Sequence, residues 1–197
     1  MKQLLIFTSL VLALAALCCF IPTRADMEIY SGVVRLHVLA NSDSEEDQRV
    51  KLLVRDAVLS DIGNITSGAE SADDAAKMIA DNVGNIRALV GKTLSSLGEN
   101  VASKVTLSEE YYPERSYGDI SLPAGKYTSL KIMLGEASGQ NWWCVLYPAV
   151  CTSGAKASHI MRQTGFSTEQ INVLTGEDKP VYKIKFKFLE FLGGMFS

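Results

Sequence analysis

Histidine is almost absent from this chain, with His37 and His159 the only two in 197 residues. Cysteine is nearly as scarce, at four. No CxxC or HxxxH spacing links these residues, and structural zinc sites ordinarily show such pairs. A set of His37, Cys144, Cys151 and His159 can be drawn, but nothing in the spacing brings it together, so no metal or other cofactor is expected. Also missing are a glycine loop for phosphate and a nucleophile elbow. Charge of one sign is lacking too. A net charge of −3 excludes the electrostatic footprint of a nucleic-acid binder. Low-complexity tracts and repeats at solenoid periods are absent as well.

What is present begins with an apolar leader. "MKQLLIFTSLVLALAALCCFIP" has one lysine and then a largely apolar run from Leu4 to Ile21, followed by "TRA" as a small-x-small cleavage pattern. Residues 1–25 are therefore expected to be a signal peptide or, uncleaved, a membrane anchor, since spanning a bilayer takes roughly 20 apolar residues. Residues 26–197 are expected to form a single exported α+β domain. Cys18 and Cys19 fall in the leader, which leaves Cys144 and Cys151 outside the reducing cytosol. They form either a disulfide or two buried thiols.

Periodicity orders the rest. Val33 to Ala40 reads as a strand. A helix starts near Ser42 or Asp43, with Ser42/Glu45 and Ser44/Asp47 as capping pairs, and runs to about Ile62. Its expected core stripe is Val50, Leu53, Val54, Ala57 and Val58, with Leu52 and Leu59 on the other side. Ser71 caps a second helix, whose apolar residues from Ala72 to Leu97 recur at steps of three or four. Gly84 and Gly91 within it would permit close approach of a neighbour. After Gly98 the period changes to two. Strands are expected around Val101–Leu107, Tyr117–Leu122, Thr128–Leu134 and in "WWCVLY". "STEQ" from Ser167 opens a short helix. Tyr182, Ile184, Phe186 and Phe188 then alternate with Lys183, Lys185 and Lys187 as a last strand. The expected fold is α+β: an antiparallel β-sheet meander packed by two main helices.

Candidate chemistry concentrates in "RLHVLANSDSEEDQ", where a strand runs into short polar residues and a helix start. Asp43 and Asp47, or Cys144 with a histidine, could serve an exported hydrolase. The alternative is recognition by His37, Asn41, Asp43, Gln48 and Arg55. Gln48 and Arg55 lie seven apart on one helix face, which Leu52 and Leu59 extend. Trp142 and Trp143 are adjacent on a strand, so they face opposite ways, and one could anchor a partner.

Three stretches resemble stage II sporulation protein R as a family: "RLHVLANSDSEEDQRVKLLVRDAVL" from Arg35 to Leu59, "PAGKYTSLKIMLGEASGQ" from Pro123 to Gln140, and "NWWCVLYPAVC" from Asn141 to Cys151. The layout of leader, two helices, meander and lysine-alternating strand is similar too. Against the family's extended C-terminal region, the ending "FLGGMFS" is short. The resemblance implies a signalling protein, not an enzyme. It would be made in the forespore of an endospore former and exported into the space between the forespore and mother-cell membranes. There it would trigger a membrane-embedded aspartic protease that matures pro-sigma-E.

Overall fold

The computed structural model describes residues 2–18, 24–151 and 155–177. Helix α1, Lys2–Cys18, takes up most of the apolar leader. Among the described residues no helix is long and apolar enough to cross a membrane. Helix α2, Arg24–Ser31, follows, and its Ile29 is fully buried. After strand β1, Val34–Leu39, comes helix α3, Glu45–Ile65. Ser44 is its N-cap and accepts from the Asp47 N–H at 3.1 Å, while Glu45, Glu46 and Asp47 sit at the positive end of the dipole. Helix α4, Ala72–Ser96, is capped in the same way by Ser71.

The β-rich half holds β2 (Ser103–Tyr112), β3 (Arg115–Tyr117), β4 (Ile120–Leu122), β5 (Gly125–Leu134) and β6 (Asn141–Tyr147). Two short helices follow: α5, Ala157–Gln163, and α6, Thr168–Thr175. Helix α6 starts with a full capping box between Ser167 and Gln170, where "STEQ" placed it. The expected single strand at Tyr117–Leu122 is a small hairpin, β3–β4, turned by Gly118 at φ 62°. The lysine-alternating segment Tyr182–Phe188 lies outside the described residues.

The α+β class holds, but the sheet is not a plain meander. Its order is β2-β5-β1-β6, with β1 parallel to β5 and antiparallel to β6. The first strand is thus inserted between two strands that a meander would pair directly. Burial explains this. Leu36 and Val38 are buried on one face of β1, and Arg35 and His37 on the other, which suits a central strand.

One face of the sheet carries Leu36, Val38, Leu130, Ile132, Val105 and Cys144, packed under α3 and α4. In α4 the stripe Ile79, Ile86, Val90 and Leu94 is buried, each side chain contributing roughly 1.5–3 kcal/mol. The α3 stripe is Val50, Val54, Val58 and Ile62, joined by a buried Lys51. Leu53, expected in that stripe, is exposed. Gly84 and Gly91 face open space, so they admit no close neighbour. The opposite face of the sheet builds a second core with Tyr112, Tyr127 and Val145, beneath α2, the β3–β4 hairpin, α5 and α6.

Candidate functional site

The polar crowd after β1 is tied to the β5–β6 connection, which passes over the end of β1. Asn41 Oδ1 accepts from the Glu136 N–H at 3.0 Å, and Asn41 Nδ2 donates to Asp47 at 3.0 Å. Asp43 Oδ1 accepts from the Gln140 N–H at 2.7 Å. Ser42 Oγ donates to Asp47 at 2.5 Å, and Gln48 Nε2 donates to the Ser42 carbonyl at 2.8 Å. Lys51 reaches up from α3 to Gln48 Oε1 at 2.5 Å and the Gln140 carbonyl at 2.9 Å. Burial lowers the Lys51 pKa, and the hydrogen bonds from Ser42 and Asn41 hold the Asp47 carboxyl below its ordinary value. Two glycines make the approach possible. A Cβ on Gly135, which has φ 55°, would collide with the Asn41 side chain, and one on Gly139 with the Ser42 carbonyl.

A second network lies on the sheet face away from α3 and α4. Alternation along β1 places Arg35 and His37 there. Register brings Ser129 opposite Arg35 and Lys131 opposite His37. His37 Nδ1 is 2.9 Å from Glu110 Oε1, and its Nε2 is 2.7 Å from Asn141 Oδ1. Glu110 also takes a 2.6 Å hydrogen bond from Lys131 Nζ. Burial pushes the Glu110 pKa up, but the bonds from Lys131 and His37 outweigh it, and the net shift is downward. Arg35 is fully buried, its guanidinium carbon 3.9 Å from the centre of the Tyr112 ring and 4.8 Å from that of Tyr127. It donates to the Tyr117 hydroxyl. Its Nε and Nη1 have no partner among the described residues. Ring faces replace a carboxylate here, at about 0.5–2 kcal/mol per cation–π contact. Burial raises the Tyr112 pKa, and its hydroxyl lies 2.6 Å from Ser129 Oγ.

The two tryptophans face opposite ways, as the strand requires. Trp142 packs on the α3–α4 core, with the Arg55 guanidinium 4.2 Å from its ring centre. Trp143 packs on the second core beside His37, with Arg115 stacked at 3.9 Å. Both are half-buried. Cys144 and Cys151 are bonded to each other, with their Cα atoms 6.2 Å apart. Among the described residues no group of histidine, cysteine or carboxylate side chains could hold a metal ion. Both ring nitrogens of His37 are engaged, and neither aspartate of the polar crowd stands free beside a nucleophile. Such an arrangement holds the β1–α3 loop and the neighbouring strands in place.

The family model described as stage II sporulation protein R matches residues 30–157. The chain belongs to that family. Stage II sporulation protein R of Bacillus subtilis (strain 168) is 37% identical over 118 residues, 60% of this chain and 53% of that protein. The chain thus spans about half the length of the curated relative it matches. No solved structure matches it. Membership in the stage II sporulation protein R family gives the chain a sporulation role, and neither description names an enzyme.

The family match runs from the end of α2 to the start of α5, so it contains both polar networks and both tryptophans. Within it the residues singled out from the sequence do not form one patch. Asn41, Asp43 and Gln48 are braces of the β1–α3 loop, and Arg55 with Trp142 lies on the helix side of the sheet. His37 and Trp143 share the opposite face. Arg35, Ser129 and Lys131 fall inside the stretches quoted from the sequence without being singled out, and Glu110 and Arg115 lie outside them. Glu110 and Lys131 are 21 positions apart, and Glu110 and His37 are 73 apart, so only the strand register joins them.

Proposed function

We propose that the chain is an exported signal of endospore formation that works by binding. On this reading it leaves the forespore and enters the space between forespore and mother-cell membranes. There it switches on a membrane-embedded aspartic protease of the mother cell, which then matures pro-sigma-E. The observation that carries the reading is the family match over residues 30–157. The apolar leader supports export. The internal use of the polar side chains supports a ligand over a hydrolase. Cys144 is bonded to Cys151, and Asp43 and Asp47 are taken up by loop contacts, so no observation favours the hydrolase.

A ligand activates only by binding the active state better than the inactive one. Moving a protease from about 1% to about 99% active needs roughly 5.5 kcal/mol of differential binding. A few buried anchors at an interface supply energies of that order.

Reconstitution in a non-sporulating bacterium tests the proposal. The host would carry the membrane protease and pro-sigma-E, with and without this chain. Shortened sigma factor is expected only when the chain is present and exported. Processing that proceeds equally without the chain, or equally well when the chain lacks residues 2–25 and stays inside, would overturn it.

A further inference from the structure

Among the described residues the outer edge of β6 carries no charge: "NWWCVLY" has no charged residue, whereas β2 at the other edge of the four-stranded sheet carries Lys104, Glu109 and Glu110. Natural proteins ordinarily guard such an edge with lysine, proline, a bulge or a cover. Half of this edge has a cover. The Val145 N–H donates to Cys151 Sγ at 3.2 Å, so it points away from β1, and the disulfide loop closes the edge there. Backbone groups two residues apart point the same way on a strand. Those of Asn141 and Trp143 therefore also point outward, ahead of the covered part.

This stretch, uncovered among the described residues, is straddled by two arginine–tryptophan stacks. Arg55 lies on Trp142 on one face, and Arg115 on Trp143 on the other. The Trp142 Nε1–H is buried without an acceptor among the described residues. Arg115 is exposed and has no carboxylate partner among them, while Arg55 pairs only with its exposed neighbour Asp56. A strand added to this edge sends alternate side chains to the two faces. Each face offers an aromatic ring with a cation beside it.

We propose that the Asn141–Trp143 edge is where the partner docks, by adding an extended segment with acidic side chains as a further strand of the sheet. Backbone hydrogen bonds to Asn141 and Trp143 supply affinity, and carboxylates beside Arg55 and Arg115 supply selectivity. Charge disfavours the chain's own segment Val181–Phe188, whose lysines would meet an arginine. The inference rests on the binding reading of the function.

The test has two arms, both using the full chain. In the reconstituted system, wild type must first trigger processing of pro-sigma-E; if it does not, the functional reading fails on its own. Given that, Arg55→Glu with Arg115→Glu is expected to lower processing at least ten-fold while the protein stays folded. Should the double variant lose its fold, Arg115→Glu alone, on an exposed side chain, decides the point. Normal processing by a folded variant overturns the proposal. The second arm uses intrinsic fluorescence, since Trp142 and Trp143 are the only tryptophans. A synthetic peptide alternating glutamate and valine should perturb it, and the double variant should abolish the response. A response to lysine–valine peptide or to the Val181–Phe188 peptide in place of the acidic one assigns the edge to another occupant and overturns the proposal.

Discussion

Replacing Glu110 by glutamine keeps the shape of the side chain and removes its charge. In the native protein this carboxylate accepts from Lys131 Nζ at 2.6 Å and lies 2.9 Å from His37 Nδ1. Hydrogen bonds to a charged group contribute about 1.5–3 kcal/mol and neutral ones about 0.5–1.5, so neutralising Glu110 costs about 1 kcal/mol per bond. Water reaches both partners in part, with side-chain exposures of 19% for Glu110 and 28% for Lys131. Screening reduces the expected loss to about 1–2 kcal/mol. For a domain of this size that lowers the melting temperature by about 3–6 °C. The pH dependence gives the sharper check. The Glu110 pKa is depressed below its ordinary value of 4.5 in the folded protein. Its stabilising contribution is therefore complete above the unfolded value and disappears as pH falls through the folded one. Urea unfolding of wild type and Glu110→Gln should differ at about pH 7 and differ less at about pH 3, as Glu110 takes up its proton. Every other carboxylate cancels in that comparison. A gap of the same size at both pH values, or none at neutral pH, would refute the reasoning.

Ser44→Ala should lower stability by about 1 kcal/mol through loss of the α3 cap, and an unchanged urea midpoint would deny the cap its role. Gly139→Ala drives a methyl group into the Ser42 carbonyl and should cost about 1–3 kcal/mol, with hydrogen exchange rising first in residues 135–140; protection equal to wild type would count against it. Leu10→Arg with Leu12→Arg, in the apolar leader, should retain the product inside the cell and abolish signalling. Fractionation that finds the double variant exported, or full signalling from retained protein, would contradict the export reading.

Helix α4 was legible because its buried residues follow one 3.6-residue stripe from a clear N-cap, and nothing else competes for its apolar face. Helix α3 was legible in extent but not in facing. Its stripe includes Lys51, which a pattern of apolar residues cannot include, and the lysine is buried because Gln48 one turn earlier on the helix and the Gln140 carbonyl on a distant segment both accept from it. The central place of β1 was hidden for a related reason. Arg35 and His37 alternate with Leu36 and Val38, and that pattern is the usual mark of a strand with one wet face. Their burial depends on Tyr112, Tyr117, Glu110 and Asn141, which lie 73 to 104 positions away. Helix α2 was concealed by its place, since a leader reading ends at Ala25 and divides Arg24–Ser31 in two.

The same difference separates the two ways of reading a polar crowd. A cluster such as Asn41 to Gln48 looks functional in one dimension because its side chains have no visible partners. In three dimensions Asn41, Ser42, Asp43, Asp47 and Gln48 are matched to backbone or side-chain groups at 2.5 to 3.0 Å. Groups already matched internally gain little from a second molecule, because binding would only exchange one hydrogen bond for another. Surfaces that still have donors to offer gain more. Here these are a strand edge without charged guards and arginines resting on tryptophan rings, and the sequence marks them only by "WW" and by Arg55 and Arg115, 60 positions apart. On the docking proposal, binding energy belongs at the rim of the sheet, and the Asn41–Gln48 loop, tied to the β5–β6 connection, braces that end of the sheet.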